Sequence, residues 1–172
     1  MGNWKKLRFN RPDAAFPVVL VAPEIPPNTG NAARLCAATG SPLHLVEPLG
    51  FSIDEKAVRR AGLDYWHLVD VFRHDTLDQC LDSVSADHMP LLFTSRSMKS
   101  FLDAPYIPGT PLVFGCETKG LDEGILSAFP DRCYSIPTCG PVRSLNLSNA
   151  VAVVLYEALK KSGMLNECFE GE

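Results

Sequence analysis

An α/β architecture with a mostly parallel sheet flanked by helices is predicted by two features of the sequence. Short runs rich in Val, Leu and Phe alternate with helical segments along the whole chain. Those runs are apolar at consecutive positions, which is the signature of strands covered on both faces. The 172 residues, 46% apolar and 21% charged, suit one domain with a real core.

Taken in order, "FPVVLVAP" (16–23) reads as a buried strand. A helix follows over 30–39, with Asn28 or Thr29 near its N-cap and Gly40 as its stop. "PLHLVEP" (42–48) is the next strand, and 52–62 a helix between an Asp54 cap and Gly62. "YWHLVDVF" (65–72) reads as a strand and 76–84 as a helix. Further strands are expected at 90–95, 110–117 and 132–137, with a helix over 122–129. The last helix, 146–163, is apolar almost all round. Such a helix is covered on two sides, and in a small chain the second cover is expected to be another subunit, through Val151, Val154 and Tyr156.

The charge and cysteine patterns narrow the classes. No apolar run approaches a membrane span, and the first residues lack the apolar core of a secretory signal, so a cytoplasmic protein is expected. The six cysteines show no CxxC spacing and the four histidines no HExxH, so no metal is expected. The net charge of −4 argues against bulk nucleic-acid binding, yet the cations are clustered. Lys5, Lys6, Arg8 and Arg11 crowd the first twelve residues, Arg59 and Arg60 form a second group, and acids collect at the C-terminus. The chain therefore divides into a basic extension (1–15), a single domain (16–163) and an acidic tail (164–172).

Ligands of parallel sheets bind at the carboxyl ends of strands, and three loops there carry polar chemistry. "PEIPPNTGNAAR" (23–34) has two prolines that stiffen it, then Asn28 and Asn31, with one cation, Arg34, a turn into the helix. "LVFGCETKGL" (112–121) ends a strand at Gly115 and adds Glu117. It is neither a P-loop nor a dinucleotide fingerprint. "SIPTCGPVRSLNLSNA" (135–150) places Arg143, Ser144 and Asn146 ahead of the last helix, more polar groups than one cap requires.

Together these strings resemble the three motifs of the SPOUT (α/β-knot) RNA methyltransferases, and over about 17–163 the chain looks like the small bacterial tRNA wobble-position 2′-O-methyltransferases. The resemblance implies a C-terminal deep trefoil knot, S-adenosylmethionine as methyl donor, a homodimer and the tRNA anticodon stem-loop as partner. It implies that Arg34 orients the ribose 2′-OH and the adjacent phosphate, to which the proton could pass, since arginine is a poor base. Asn28, Glu117, Ser144 and Asn146 would complete the catalytic network. Phe93, Thr94, Gly115, Glu117, Ile136, Ser144 and Leu145 would cradle the cofactor. Lys5, Lys6, Arg8, Arg11, Arg59, Arg60, Tyr65, Trp66 and Arg143 would contact RNA, the N-terminal cations from a mobile arm and an aromatic by stacking. The competing readings are a catalytically silent RNA-binding protein of the same fold, an enzyme acting on another tRNA or rRNA position, and a nucleotide-using enzyme of ordinary doubly wound fold.

Overall fold

The computed structural model describes residues 5–10, 14–52, 66–84 and 88–171. The predicted helix at 52–62, and with it Arg59 and Arg60, lies outside the described residues, apart from Ser52; so do Arg11 and Tyr65. In chain order the elements are β1 (Lys6–Phe9), β2 (Val18–Val21), α1 (Pro26–Thr39), β3 (Leu43–Val46), β4 (Val71–His74), α2 (Leu77–Val84), β5 (Leu91–Phe93), β6 (Leu112–Phe114), α3 (Glu123–Ala128), β7 (Cys133–Tyr134), α4 (Leu147–Lys161) and β8 (Cys168–Gly171).

Six strands form one sheet in the order β4-β3-β2-β6-β5-β7, and every adjacent pair is parallel. The unbroken apolar runs have their physical cause in two cores. Val18, Leu20, Leu43, Leu45, Leu112 and Phe114 face α1 and α4. Val19, Val46, Leu92 and Val113 face the other way, onto Cys80 and Leu81 of α2 and Ile125 and Leu126 of α3. Successive residues of each strand point to opposite faces, so a sheet covered on both sides needs apolar side chains at every position. His44 on β3 is buried; burial, and then the neighbouring His74, pushes its imidazolium down to about 4 and leaves the ring neutral near pH 7.

Four expectations are corrected. α1 begins at Pro26, not at residue 30, with Ile25 at its N-cap. A proline at the first helical position loses no hydrogen bond and already has a helical φ, so Pro26 and Pro27 open the helix rather than stiffen a loop. Asn28 and Thr29 are consequently inside the helix and buried. The run 65–72 is not one strand: Trp66–Leu68 is a 3₁₀ turn, and the strand is Val71–His74. Trp66 packs half-buried against the core from that turn, so its apolar area is covered without a strand.

The third correction concerns α4. Val151 and Val154 are fully buried in the chain's own core, beside Leu155, Ala158 and Leu159. The outward apolar residues are Val153 and Tyr156, 39% and 45% exposed. Fourth, the basic arm is not loose. β1 pairs antiparallel with β8, from Lys6 opposite Gly171 to Phe9 opposite Cys168. Lys5 Nζ donates to Glu170 at 2.7 Å, an exposed pair that adds little by itself. Phe9 anchors the ribbon by packing against the main core. Residues 6–9 of the basic extension and 168–171 of the acidic tail are thus two strands of one element.

Leu155 lies at the centre of the α4 face and has no exposed surface. Leu155→Ala is expected to remove about 2–5 kcal/mol of stability, whereas Lys160→Ala on the exposed side should stay within about 0.5 kcal/mol. Urea unfolding followed by circular dichroism measures both.

Candidate active site

The strand order reverses between β2 and β6, since β3 and β4 lie to one side and β5 and β7 to the other. The loops leaving the carboxyl ends of β2 and β6 therefore face each other across a crevice, the usual ligand position in such sheets. Ala22 makes the turn out of β2 at φ 50°, a left-handed conformation that costs an L-residue roughly 1–2 kcal/mol. Its N–H is held by Val46 O at 2.9 Å.

A pair of carboxylates fastens the two loops together. Glu117 accepts from the backbone N–H of Glu24 at 2.8 Å, from that of Ile25 at 3.1 Å, and from Asn28 Nδ2 at 2.8 Å. These donors are at the amino end of α1, which has no side-chain cap or acidic residue of its own. Glu24 reciprocates: it accepts from Thr118 N at 3.2 Å and Thr118 Oγ1 at 2.9 Å. Each loop thus supplies the acceptor for the other's backbone.

The third loop joins through Asn28. Asn146 Nδ2 donates to Asn28 Oδ1 at 2.9 Å. Asn146 Oδ1 accepts from Ser148 N at 3.0 Å and from Ser148 Oγ at 2.8 Å, so the same side chain caps α4. Asn28 is 5% exposed, with its amide engaged on both sides. Its place is within the scaffold that sets the loops.

At the end of β6, Gly115 allows an approach no other residue permits. A Cβ there would lie 2.1 Å from Gly120 C and 2.2 Å from Leu121 N, both backbone atoms. The loop closes on itself through Gly120 N–H to Cys116 O at 3.0 Å.

These loops enclose a cavity of about 320 Å³, within the range of small-ligand sites. All seven predicted cofactor-binding residues line it: Phe93, Thr94, Gly115, Glu117, Ile136, Ser144 and Leu145. Asn28, Asn146 and Arg143 line it too. Phe93 forms an aromatic wall with Phe114, ring centres 5.1 Å apart. Ser144 and Arg143 are exposed at the rim. Arg34 stands apart: it is exposed on α1 and does not line this cavity. Lys5, Lys6 and Arg8 are on the terminal ribbon, and Trp66 belongs to the core.

Residues to which the sequence assigns no site role are Glu24, Thr118 and Ser148, together with Arg96 and Lys119 at the cavity. Arg96 is paired with Glu123 at 2.9 Å. Glu24 had one available signal, an acid immediately before a helix start that lacks an acidic first turn.

A parallel sheet with a loop-built cavity at its switch point defines an α/β enzyme domain whose chemistry is carried by the loops. The chain belongs to the SpoU rRNA Methylase family, which matches residues 15–156. It is 47% identical over 158 residues to a Burkholderia ambifaria protein named tRNA (cytidine(34)-2'-O)-methyltransferase, covering 91% of this chain and 98% of that one. A Polaromonas protein of the same name is 49% identical over 150 residues, covering 86% and 92%. A solved structure concerned with the 2-OH methylation of C/U34 on tRNA aligns with a TM-score of 0.79 at 43% identity, covering 86% of this chain and 96% of that one. The SpoU methyltransferase AviRb of Streptomyces viridochromogenes, solved with AdoMet, shares the fold at a TM-score of 0.74 and 24% identity, over 90% of this chain and 60% of its own.

The reciprocal carboxylates should be energetically coupled. In a double-mutant cycle of Glu24→Gln and Glu117→Gln, each single change is expected to cost about 1–3 kcal/mol, with a coupling of roughly 0.5–3 kcal/mol read from urea unfolding. Strict additivity would mean that the two side chains act separately.

Proposed function

We infer that this protein is a ribose methyltransferase that uses S-adenosylmethionine to methylate the 2′-hydroxyl of the wobble nucleotide of tRNA, a cytidine or modified uridine. The observation that carries the reading is the conjunction of relatives 47–49% identical over most of the chain, named tRNA (cytidine(34)-2'-O)-methyltransferase, and a similar solved structure concerned with C/U34, with an intact three-loop site. The cavity suits the cofactor in its size, its aromatic wall and the backbone exposed at Gly115. Phe93, Thr94, Ile136 and Leu145 would hold it, and it supplies a methyl group on a sulfonium, already activated for displacement.

The chain's own tasks are then alignment and proton removal. The loops would align the 2′-hydroxyl oxygen with the methyl carbon of the bound donor, and the hydroxyl proton would pass to the adjacent phosphate. Alignment of the reacting atoms alone can contribute about 7–11 kcal/mol. Ser144, exposed at the rim, would hold the ribose, and the neighbouring Arg143 a phosphate. Glu117, Asn28 and Asn146 fix the loops that present them. Arg34 orients the 2′-hydroxyl and adjacent phosphate as a permanent cation; it is no general base.

Arg34 lies outside its own chain's cavity, which favours a homodimer in which one subunit's Arg34 completes the partner's site. Val153 and Tyr156 on the outward side of α4 offer apolar surface for that contact. Membership of the SpoU family supports a C-terminal trefoil knot around the cofactor loops.

Arg34→Ala should lower methylation of tRNA by about 10²–10⁴-fold while S-adenosylmethionine binding, followed by calorimetry, stays near normal. Mass spectrometry of tRNA nucleosides from a deletion strain tests the reading itself: retention of every 2′-O-methyl nucleoside would refute it.

The ribbon also bears on RNA. Deleting β1 would leave β8 unpaired, so the informative change replaces Lys5, Lys6 and Arg8 with Ala. The Michaelis constant for tRNA should rise, and the log–log salt slope should fall by about 0.7–0.9 for each phosphate no longer neutralised. An unchanged slope would mean that the ribbon does not touch RNA.

A further inference from the structure

On the sheet face covered by α2, three donor side chains from three elements converge. His44 comes from β3, His74 from the last position of β4, and Cys80 from α2. Their nearest ligand atoms all lie within 4.8 Å of one another. None of the three lines the cavity described above.

His44 Nδ1 and His74 Nε2 are 2.9 Å apart. The ring centres are 5.2 Å apart and the planes differ by 18°, so the rings meet edge to edge in nearly one plane. The two imidazole nitrogens thus point at each other, and one proton between them serves both. The parallel register places this pair: His44 is opposite Phe72, and Val46 opposite His74, which makes the two histidines diagonal neighbours on one face. Phe72 lies against His44 with ring centres 4.8 Å apart and helps hold its plane.

Cys80 supplies the third donor. It is fully buried, and its thiol has no hydrogen-bond acceptor among the described residues. The thiols of Cys116, Cys133 and Cys168, by contrast, each donate to a backbone carbonyl. His74 is only half-buried and leaves a way in from solvent.

We propose that His44, His74 and Cys80 form a binding site for one zinc(II) ion, with water as its fourth ligand. Two neutral imidazoles and a thiolate are a preferred zinc donor set, at about 2.0–2.1 Å for nitrogen and 2.3 Å for sulfur. Tetrahedral angles then call for the two nitrogens to stand roughly 3.3 Å apart with their lone pairs converging, so the 2.9 Å contact opens, each ring turns out of line, and the Cys80 thiol closes in from within its present 4.8 Å. On binding, the Cys80 S–H bond breaks and its proton passes to solvent as the S–Zn bond forms. The proton between the rings moves to the far nitrogen of its own imidazole, so both facing nitrogens offer lone pairs. The ion ties the edge strand β4 and helix α2 to β3.

Cobalt(II) titration of the reduced, metal-stripped protein tests this, in a background carrying Cys139→Ser and Cys168→Ser to remove the exposed thiols. One equivalent should bind with a thiolate-to-cobalt charge-transfer band, and zinc should displace it. Cys80→Ser should abolish the band. His74→Gln, at a half-exposed position, should abolish binding while preserving the circular dichroism spectrum, and so decides the matter if Cys80→Ser does not fold. Zinc should raise the melting temperature of the background protein and leave that of His74→Gln unchanged. Absence of the band in the background protein, or its survival in Cys80→Ser, would overturn the assignment.

Discussion

The carboxylate of Glu117 is the constraint on which the rest of the site depends. Its two oxygens take three donors, the amides of Glu24 and Ile25 and the side chain of Asn28. Those donors are at the start of a helix, where backbone N–H groups have no partner within the helix itself. One side chain therefore ends the strand-to-helix turn after β2, anchors α1 and closes the cavity floor beside β6. Asn28, held by Glu117, in turn holds Asn146, which caps α4. Both helices of the main core are thereby referenced to the same acidic group, and the third loop inherits its position from a contact it does not make directly.

This arrangement separates two kinds of residue that share a cavity wall. Asn28 and Asn146 have side-chain bonds that lock the loops, while Ser144 and Arg143 are left at the exposed rim. A cavity built this way has a wall locked by hydrogen bonds and a mouth lined by exposed polar side chains. The close contact at Gly115 belongs to the same economy of space, because it packs one loop's backbone tightly at the cavity wall.

Much of this was legible in the sequence because its cause is local. A sheet covered on both faces writes itself as continuous apolar runs, and the strands at β2, β3, β5 and β6 were readable for that reason. The site loops were legible from Gly115, Glu117 and the polar residues before α4. What escaped was long-range. Glu24 meets Thr118 across 94 positions, and nothing in its neighbourhood names that partner. His44, His74 and Cys80 follow no ligand spacing, because strand register and helix packing bring them together. The start of α1 is not legible from a single local rule, since proline breaks a helix interior but suits its first turn. The outward face of α4 is narrower than its composition implies, because helical periodicity cannot say which apolar residues the chain's own core consumes.

The terminal ribbon has a consequence for how the chain folds. Its partners are 165 positions apart at Lys5 and Glu170. Closing a loop of that length carries an entropic cost of roughly 4–5 kcal/mol if the intervening chain is disordered. Two short strands and one exposed ion pair do not offset that cost. Once the sheet between them has formed, Phe9 has a surface to rest on and the two ends are already neighbours, so most of the cost has gone. The ribbon is therefore a late event, assembled after the core and the first element to open when the core loosens. It acts as a latch whose closure records that everything between its two halves is in place.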